Sequence, residues 1–217
     1  MKKNILSKVI FILILFTGIG MNSFSQNTDS IRLVKPDTTG GKPLMQALKE
    51  RKTNRDIQEG TLTDQQLSDL LWAACGVNRP DGKRTVPTAM NKQEIDVYVA
   101  LKQGLYLYNA SEHILIPVLS EDVRSKMGKQ SFTGDAAVML VYVADYDKMG
   151  GSDEKDKQFY SGTDAGFISQ NVYLYCASEN LATVVLGWID RDSMTTVMKL
   201  KPNQKIVLSQ CIGIPEK

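Results

Sequence analysis

Ala136-Ala137-Val138-Met139-Leu140-Val141-Tyr142-Val143-Ala144 is a nearly continuous apolar run, the pattern of a β-strand buried on both faces. Such a strand belongs in the middle of a sheet and needs cover on each side. The chain has the means to supply that cover. Its 217 residues are 42% apolar and 23% charged, which suits one globular domain with a substantial core. No internal repeat is present.

The first 25 residues differ in kind. Lys2, Lys3 and Lys8 precede the apolar run Val9 to Phe16, and Ser23 and Ser25 precede Gln26. This is the layout of a secretory signal peptide cut after Ser25, with an uncleaved anchor as the alternative. The run falls short of the roughly 20 residues that a membrane span needs. No cysteine near the cut could carry a lipid. Export would therefore release a periplasmic or extracellular protein with no stable membrane insertion. Losing three lysines and no acids takes the formal charge from +2 to −1. No concentrated Lys/Arg stripe marks a nucleic-acid surface.

Cys75, Cys176 and Cys211 lie far apart among apolar neighbours, with no CxxC pair. They read as buried thiols, with one disulfide plus a leftover thiol as the alternative. His113 is the only histidine, so no metal site is expected. His113 itself reads as an exposed hairpin residue rather than a general acid.

Residues 26–43 are polar and rich in Pro, Gly, Asp and Thr, the composition of a flexible linker before a domain at 44–217. Leu44, Ala47 and Leu48 recur at helical spacing. Thr63 is an N-cap for a helix with a Leu67, Leu70, Leu71, Ala74 stripe that stops at Gly76. Residues 78–91 read as a loop, and 96–101 with 105–108 as a β-hairpin. Residues 147–158 read as a solvated loop, followed by a helix over about 163–180. Strands follow at 181–189 and 205–214, around a short helix at 192–199. Trp72 is expected in the core, and Trp188 in the core or on a pocket wall. Mixed strands and helices, with a connection too short for a crossover helix, give an α+β fold.

Arg51-Lys52-Thr53-Asn54-Arg55 gathers two guanidiniums, an ammonium and a hydroxyl within five residues. Arginine suits bidentate phosphate contact, and a Thr hydroxyl can complete an anion cradle. Alone, such a cluster also fits a solvated helix end. Together with later segments it resembles the R-x-[ST]-x-[RK] opening of the nitroreductase family. Pro87-Thr88-Ala89-Met90-Asn91-Lys92-Gln93 is similar to that family's P-S-[SA]-x-N-x-Q loop. Residues 163–174 resemble its D-x-G-x-x-x-Q-N-x-x-L helix, and Glu179 to Thr183 stand where relatives often have a Gly-Leu-Gly turn. Four segments in order cover most of residues 44–215. Residues 70–77 and 79–87 resemble the branch of azoline-oxidising dehydrogenases.

The resemblance implies a mixed, mainly antiparallel central sheet flanked by helices, in an intertwined homodimer that binds FMN at its interface. Arg51 and Thr53 would hold the FMN phosphate, with Lys52 nearby. Arg55 would approach the N1/C2=O side of the ring, where a cation stabilises the anionic reduced flavin. Pro87, Thr88, Ala89, Met90 and Asn91 would meet the same flavin from the partner subunit. Gln130, after Lys129, would read the O4/N3 edge, and Val185, Leu186 and Gly187 would lie near N5. No side chain is expected to be catalytic. The implied activity is two-step (ping-pong) electron or hydride transfer through flavin N5 to or from a small organic substrate. NAD(P)H is a candidate donor. The alternative is an exported flavin-binding protein without turnover.

Two positions depart from the family pattern. The chain has only Lys217 where relatives place a phosphate-covering Arg or Lys, and Asn180 replaces a glycine at a helix end, a position asparagine tolerates. NAD(P)H is cytosolic, so export favours another donor, or oxidation of an exported substrate with electrons passed to oxygen or a quinone.

Overall fold

The computed structural model describes residues 29–216. The expected signal peptide and Lys217 lie outside them. In chain order the elements are β1 (Ile31–Arg32), α1 (Leu44–Glu50), β2 (Ile57–Gln58), α2 (Asp64–Cys75), β3 (Ile95–Leu101), β4 (Gly104–Asn109) and β5 (Ile114–Leu119). They continue with β6 (Val138–Asp145), α3 (Glu154–Ser178), β7 (Ala182–Leu186), α4 (Arg191–Val197) and β8 (Gln204–Pro215). All pairings are antiparallel, in the order β1-β5-β4-β3-β6-β8. β8 also pairs with β7 and, at its far end, with β2.

The apolar run occupies β6, between β3 and β8, as its composition requires. Strand alternation divides its side chains. Val138, Leu140, Tyr142 and Ala144 face a layer built by Leu70 and Leu71 of α2 and Ala165, Ile168, Val172 and Cys176 of α3. Met139, Val141 and Val143 face a second cluster with Ala182, Val184, Met127 and Met194. The expected α+β architecture is therefore present, with cover on both faces of one sheet. Cys75, Cys176 and Cys211 are all buried free thiols, as their neighbours suggested. Among the described residues no helix is long and apolar enough to cross a membrane.

Helix boundaries follow local chemistry. Thr63 and Gln66 form a reciprocal capping box at the start of α2. α3 begins nine residues before the expected Thr163, because Asp153 accepts the Asp156 N–H as N-cap and Glu154 and Asp156 complement the first turn. From Glu154 on, the charged stretch expected as a loop is thus the solvated opening of this helix, while residues 147–153 remain a turn and loop before it. Asn180 ends the turn after α3 at φ +56°, the left-handed conformation it was expected to tolerate.

The linker expected over 26–43 is corrected for residues 29–43, which form a strap fixed to the domain. β1 pairs with β5, Leu33 N donates to His113 O (3.2 Å), and Val34 O accepts from Ser68 Oγ (2.5 Å). Further along, Asp37 N donates to Asp69 (2.7 Å), and Lys42 Nζ reaches Glu50 (2.7 Å), Ala177 O (2.9 Å) and Asn180 (2.7 Å). The polar residues that suggested a linker supply these contacts. Two other expectations also change. His113 is half-buried, bonded to Ser68 Oγ (2.7 Å) and Tyr108 OH (2.8 Å). Trp188 is 68% exposed and in neither core cluster, which removes the core alternative and leaves the pocket wall, because it follows the end of β7 where the chain leaves the sheet.

His113 gives the strap a pH dependence. Burial holds its pKa below the usual 6.5, against the Val34 carbonyl and the Asp69 charge. The unfolded chain therefore binds the proton more readily, and this stabilisation is full above pH 6.5 and lost as pH falls below it. Amide exchange at residues 31–35 is expected to be faster relative to the intrinsic rate at pH 5 than at pH 7. Equal protection at both values would contradict this role.

Candidate functional site

α1 ends where Arg51 turns out of the helix (φ −54°, ψ 120°), its N–H still bonded to Ala47 O. The basic segment then crosses the free edge of β7, pinned there by Asn54 N donating to Thr183 O (3.0 Å). Lys52, Thr53 and Arg55 are exposed and Arg51 is half-buried. The organising residue is Tyr173 of α3, which the motif comparison did not single out. Its hydroxyl accepts the Val185 N–H (3.0 Å) and lies 3.1 Å from Thr53 Oγ1. The Arg51 guanidinium sits 5.4 Å from the centre of its ring. Arg51, Thr53 and Val185 therefore meet at one point. The sole sequence signal for Tyr173 was its place within the Gln170-Asn171 helix segment.

The Val185 N–H is taken by Tyr173, so among Val185, Leu186 and Gly187 it is not a free donor. Gly187 is exposed, and a Cβ there would meet only Leu208 at 3.8 Å. Its lack of a side chain leaves an open shelf. Gln130 packs beside Leu186: a Cβ on Gly128 would lie 2.8 Å from Leu186 Cδ1 and 2.9 Å from Gln130 Oε1. Gln130 Oε1 is buried and has no hydrogen-bond partner, an acceptor whose cost is relieved by a donor arriving from outside the chain. The segment carrying it is braced by Arg124, bonded to Asp122 (2.7 and 2.9 Å) and Ala136 O (2.5 Å).

The Pro87 to Asn91 loop stands apart from this point within one protomer. Ala89 N donates to Asp164 Oδ2 (3.2 Å), and Asp164 precedes Tyr173 by nine residues of α3, a rise of about 13 Å. Pro87, Met90 and Asn91 are exposed, with Thr88 and Ala89 half-buried. Met90 (φ +53°), Asn91 (+53°) and Gln93 (+47°) all occupy the left-handed region. Such a run is costly for non-glycine residues and persists where its surroundings fix it. Thr88 Oγ1 accepts from Gln93 N (3.1 Å) and Asn91 Oδ1 from Gln93 Nε2 (3.2 Å).

Beneath the loop lie two buried acids, Glu94 and Asp164. Neither Glu94 oxygen meets a protein donor. Burial pushes its carboxyl up to about 7. The Asp164 carboxylate adds to that rise, while the Glu94 backbone amide and Lys148 oppose it.

A cavity of about 680 Å³ lies elsewhere, between the strap, α2 and the end of α3. Trp72, Leu174, Tyr175, Asp37, Asp69 and Glu179 line it, so Trp72 is a half-buried cavity wall rather than core. None of the residues expected to hold a cofactor borders it.

The model of the nitroreductase family matches residues 48–214. A nitroreductase-like protein of Methanocaldococcus jannaschii is 29% identical over 184 residues, covering 80% of this chain and 92% of that one. The crystal structure of a nitroreductase-like protein of Ralstonia eutropha superposes at TM-score 0.84 with 41% identity, covering 88% of this chain and 92% of the other. Two more distant structures share the fold. The NADPH:FMN oxidoreductase of Vibrio harveyi in complex with NAD+ has TM-score 0.61 and 17% identity, over 80% of this chain and 69% of that one. The microcin synthetase complex of E. coli, with its truncated precursor bound, has TM-score 0.69 and 16% identity, over 97% and 85%.

Proposed function

The chain belongs to the nitroreductase family, and on that premise we propose that it is an FMN-dependent oxidoreductase acting on a small organic substrate. The observation that carries this reading is the meeting of Arg51, Thr53 and Val185 around Tyr173. Anion-binding groups are thereby held at one strand edge, and the same strand ends at Leu186, beside an orphaned amide oxygen, with the Gly187 shelf following it.

The residues fit the cofactor. Arg51 and Thr53, with Lys52 nearby, would hold its phosphate, and Arg55 would supply positive charge to the N1/C2=O side of the ring. Gln130 Oε1 would accept from the ring's N3–H, which satisfies the atom that has no donor in the free protomer. Gly187 would let the ring approach the backbone. When bound, FMN supplies two-electron redox chemistry at N5 in two half-reactions. The protein's part is binding, orientation and charge.

A homodimer is part of the proposal. The Pro87 to Asn91 loop is held at a distance from Arg51 in its own protomer and presents Met90 76% exposed, which suits a contribution to the partner's cofactor. Phe159 and Phe167 of α3 and Leu44, Met45 and Leu48 of α1 are also exposed, and a second copy would cover such a surface. Residues 70–77 and 79–87 favour the azoline-oxidising branch, and the fold shared with microcin synthetase agrees with that reading. We also propose export, with electrons supplied by a donor other than NAD(P)H or passed outward from an exported substrate. Rapid reduction of the flavin-loaded protein by micromolar NADPH would overturn that last element.

Freshly purified protein, or protein reconstituted with FMN, is expected to show the visible absorption of bound flavin. Replacing Arg51 and Arg55 together by alanine removes two charge-assisted contacts of about 1.5–3 kcal/mol each, or roughly 10²- to 10⁴-fold in affinity. A wild-type protein that stays colourless with FMN would refute the cofactor reading.

A further inference from the structure

We propose that Tyr173 is a positioning residue that fixes the Thr53 hydroxyl as a hydrogen-bond donor to a terminal phosphate, so that the site selects FMN over its dephosphorylated form, riboflavin. The inference rests on the cofactor reading above and assigns its selectivity to a residue at an unspecified position of the family's helix motif.

The direction of the hydrogen bonds carries it. Val185 N–H can only donate, so the Tyr173 oxygen accepts at 3.0 Å. Either hydroxyl could donate across the 3.1 Å contact with Thr53 Oγ1; the relay assigns the phenolic proton to Thr53 Oγ1, its one acceptor within hydrogen-bond reach among the described residues. With Thr53 Oγ1 accepting, its own proton points away from Tyr173, and Thr53 is exposed. The result is a chain from backbone N–H through phenol and threonine hydroxyl to an external acceptor, each bond polarising the next. An anionic phosphate can only accept, which suits the end of such a chain. A neutral terminal hydroxyl gains much less.

Two contacts stop the arrangement from relaxing. Asn54 N on Thr183 O (3.0 Å) fixes the backbone next to Thr53. Arg51 rests over the ring of the same tyrosine, so one side chain sets both the cation and the hydroxyl. Tyr173→Phe keeps the ring beneath Arg51 and removes the relay, together with the acceptor of the Val185 N–H.

The test is fluorescence titration of wild type, Tyr173→Phe, Thr53→Val and the double variant with FMN and with riboflavin. Tyr173→Phe is expected to lose about tenfold in FMN affinity, one charge-assisted hydrogen bond's worth at the low end, with riboflavin affinity unchanged. The double variant should bind FMN no more weakly than Thr53→Val alone, because the two residues act as one unit. Equal losses for FMN and riboflavin in Tyr173→Phe, or full additivity in the double variant, would overturn the relay while leaving the cofactor reading intact. A wild type that binds neither flavin would overturn both.

Discussion

Leu140→Ala is expected to destabilise the fold by about 3–5 kcal/mol, the range for emptying a well-packed leucine site. Leu140 is fully buried at the centre of β6, paired with Val99 on β3 and Gln210 on β8. Both neighbours are held by their own ladders, so the sheet cannot close over the void. From above, the site is closed by the cluster that contains Leu70, Leu71, Ile168 and Val172. Domains of this kind carry roughly 5–15 kcal/mol in total, so about a fifth or more is at stake. Urea denaturation should show the midpoint falling with the slope preserved. A loss below about 1 kcal/mol would mean that β6 is less closely packed than its burial indicates.

The second large effect is on pH dependence. Glu94 and Asp164 are both buried, and Asp164 already accepts the Ala89 N–H. Lys148, whose charge acts on Glu94, is also paired with Asp96 (2.6 Å). Burial pushes Glu94 up to about 7, so the folded chain holds its proton more tightly than the unfolded chain. The sign follows from that: the contribution is full below the ordinary carboxyl value near 4.5 and lost as pH rises through about 7. Glu94→Gln places an amide where the proton would be, able to donate to Asp164 at any pH. Its melting temperature should exceed that of wild type at pH 8 and approach it near pH 5. The gap at alkaline pH should be on the order of 2 kcal/mol. Parallel curves over that interval would show that the two acids do not share a proton. Because Asp164 anchors Ala89, loosening at high pH should appear first in residues 87–93.

Parts of this structure were legible from short-range pattern alone. The apolar run gave the central strand, Thr63 the start of α2, and Asn180 the end of α3. Each of those features has its cause within a few residues. β5 was missed because Pro117 interrupts Ile114–Leu119; the proline is accommodated opposite Tyr106 beside a bulge, beyond the two residues that β1 covers. The strap was missed because its partners, Asp69, Ser68, His113 and Ala177, are distant in sequence. The motifs found the basic cluster and the Val185 to Gly187 segment separately. Only Tyr173, 120 residues after Thr53, shows why they belong together, and that relation exists only after folding.

β8 joins β6, β7 and β2, and this has a consequence for the order in which the molecule can be made. β6 remains an open edge, and β7 has no strand to pair with, until residues 204–215 arrive. During synthesis the hydrophobic centre must therefore wait for the last strand, with β3, β4 and β5 free to form a meander earlier. Contacts of such long sequence separation are slow to close. Nascent chains stalled before residue 204 should remain protease-sensitive throughout β6, and flavin should be unable to protect them.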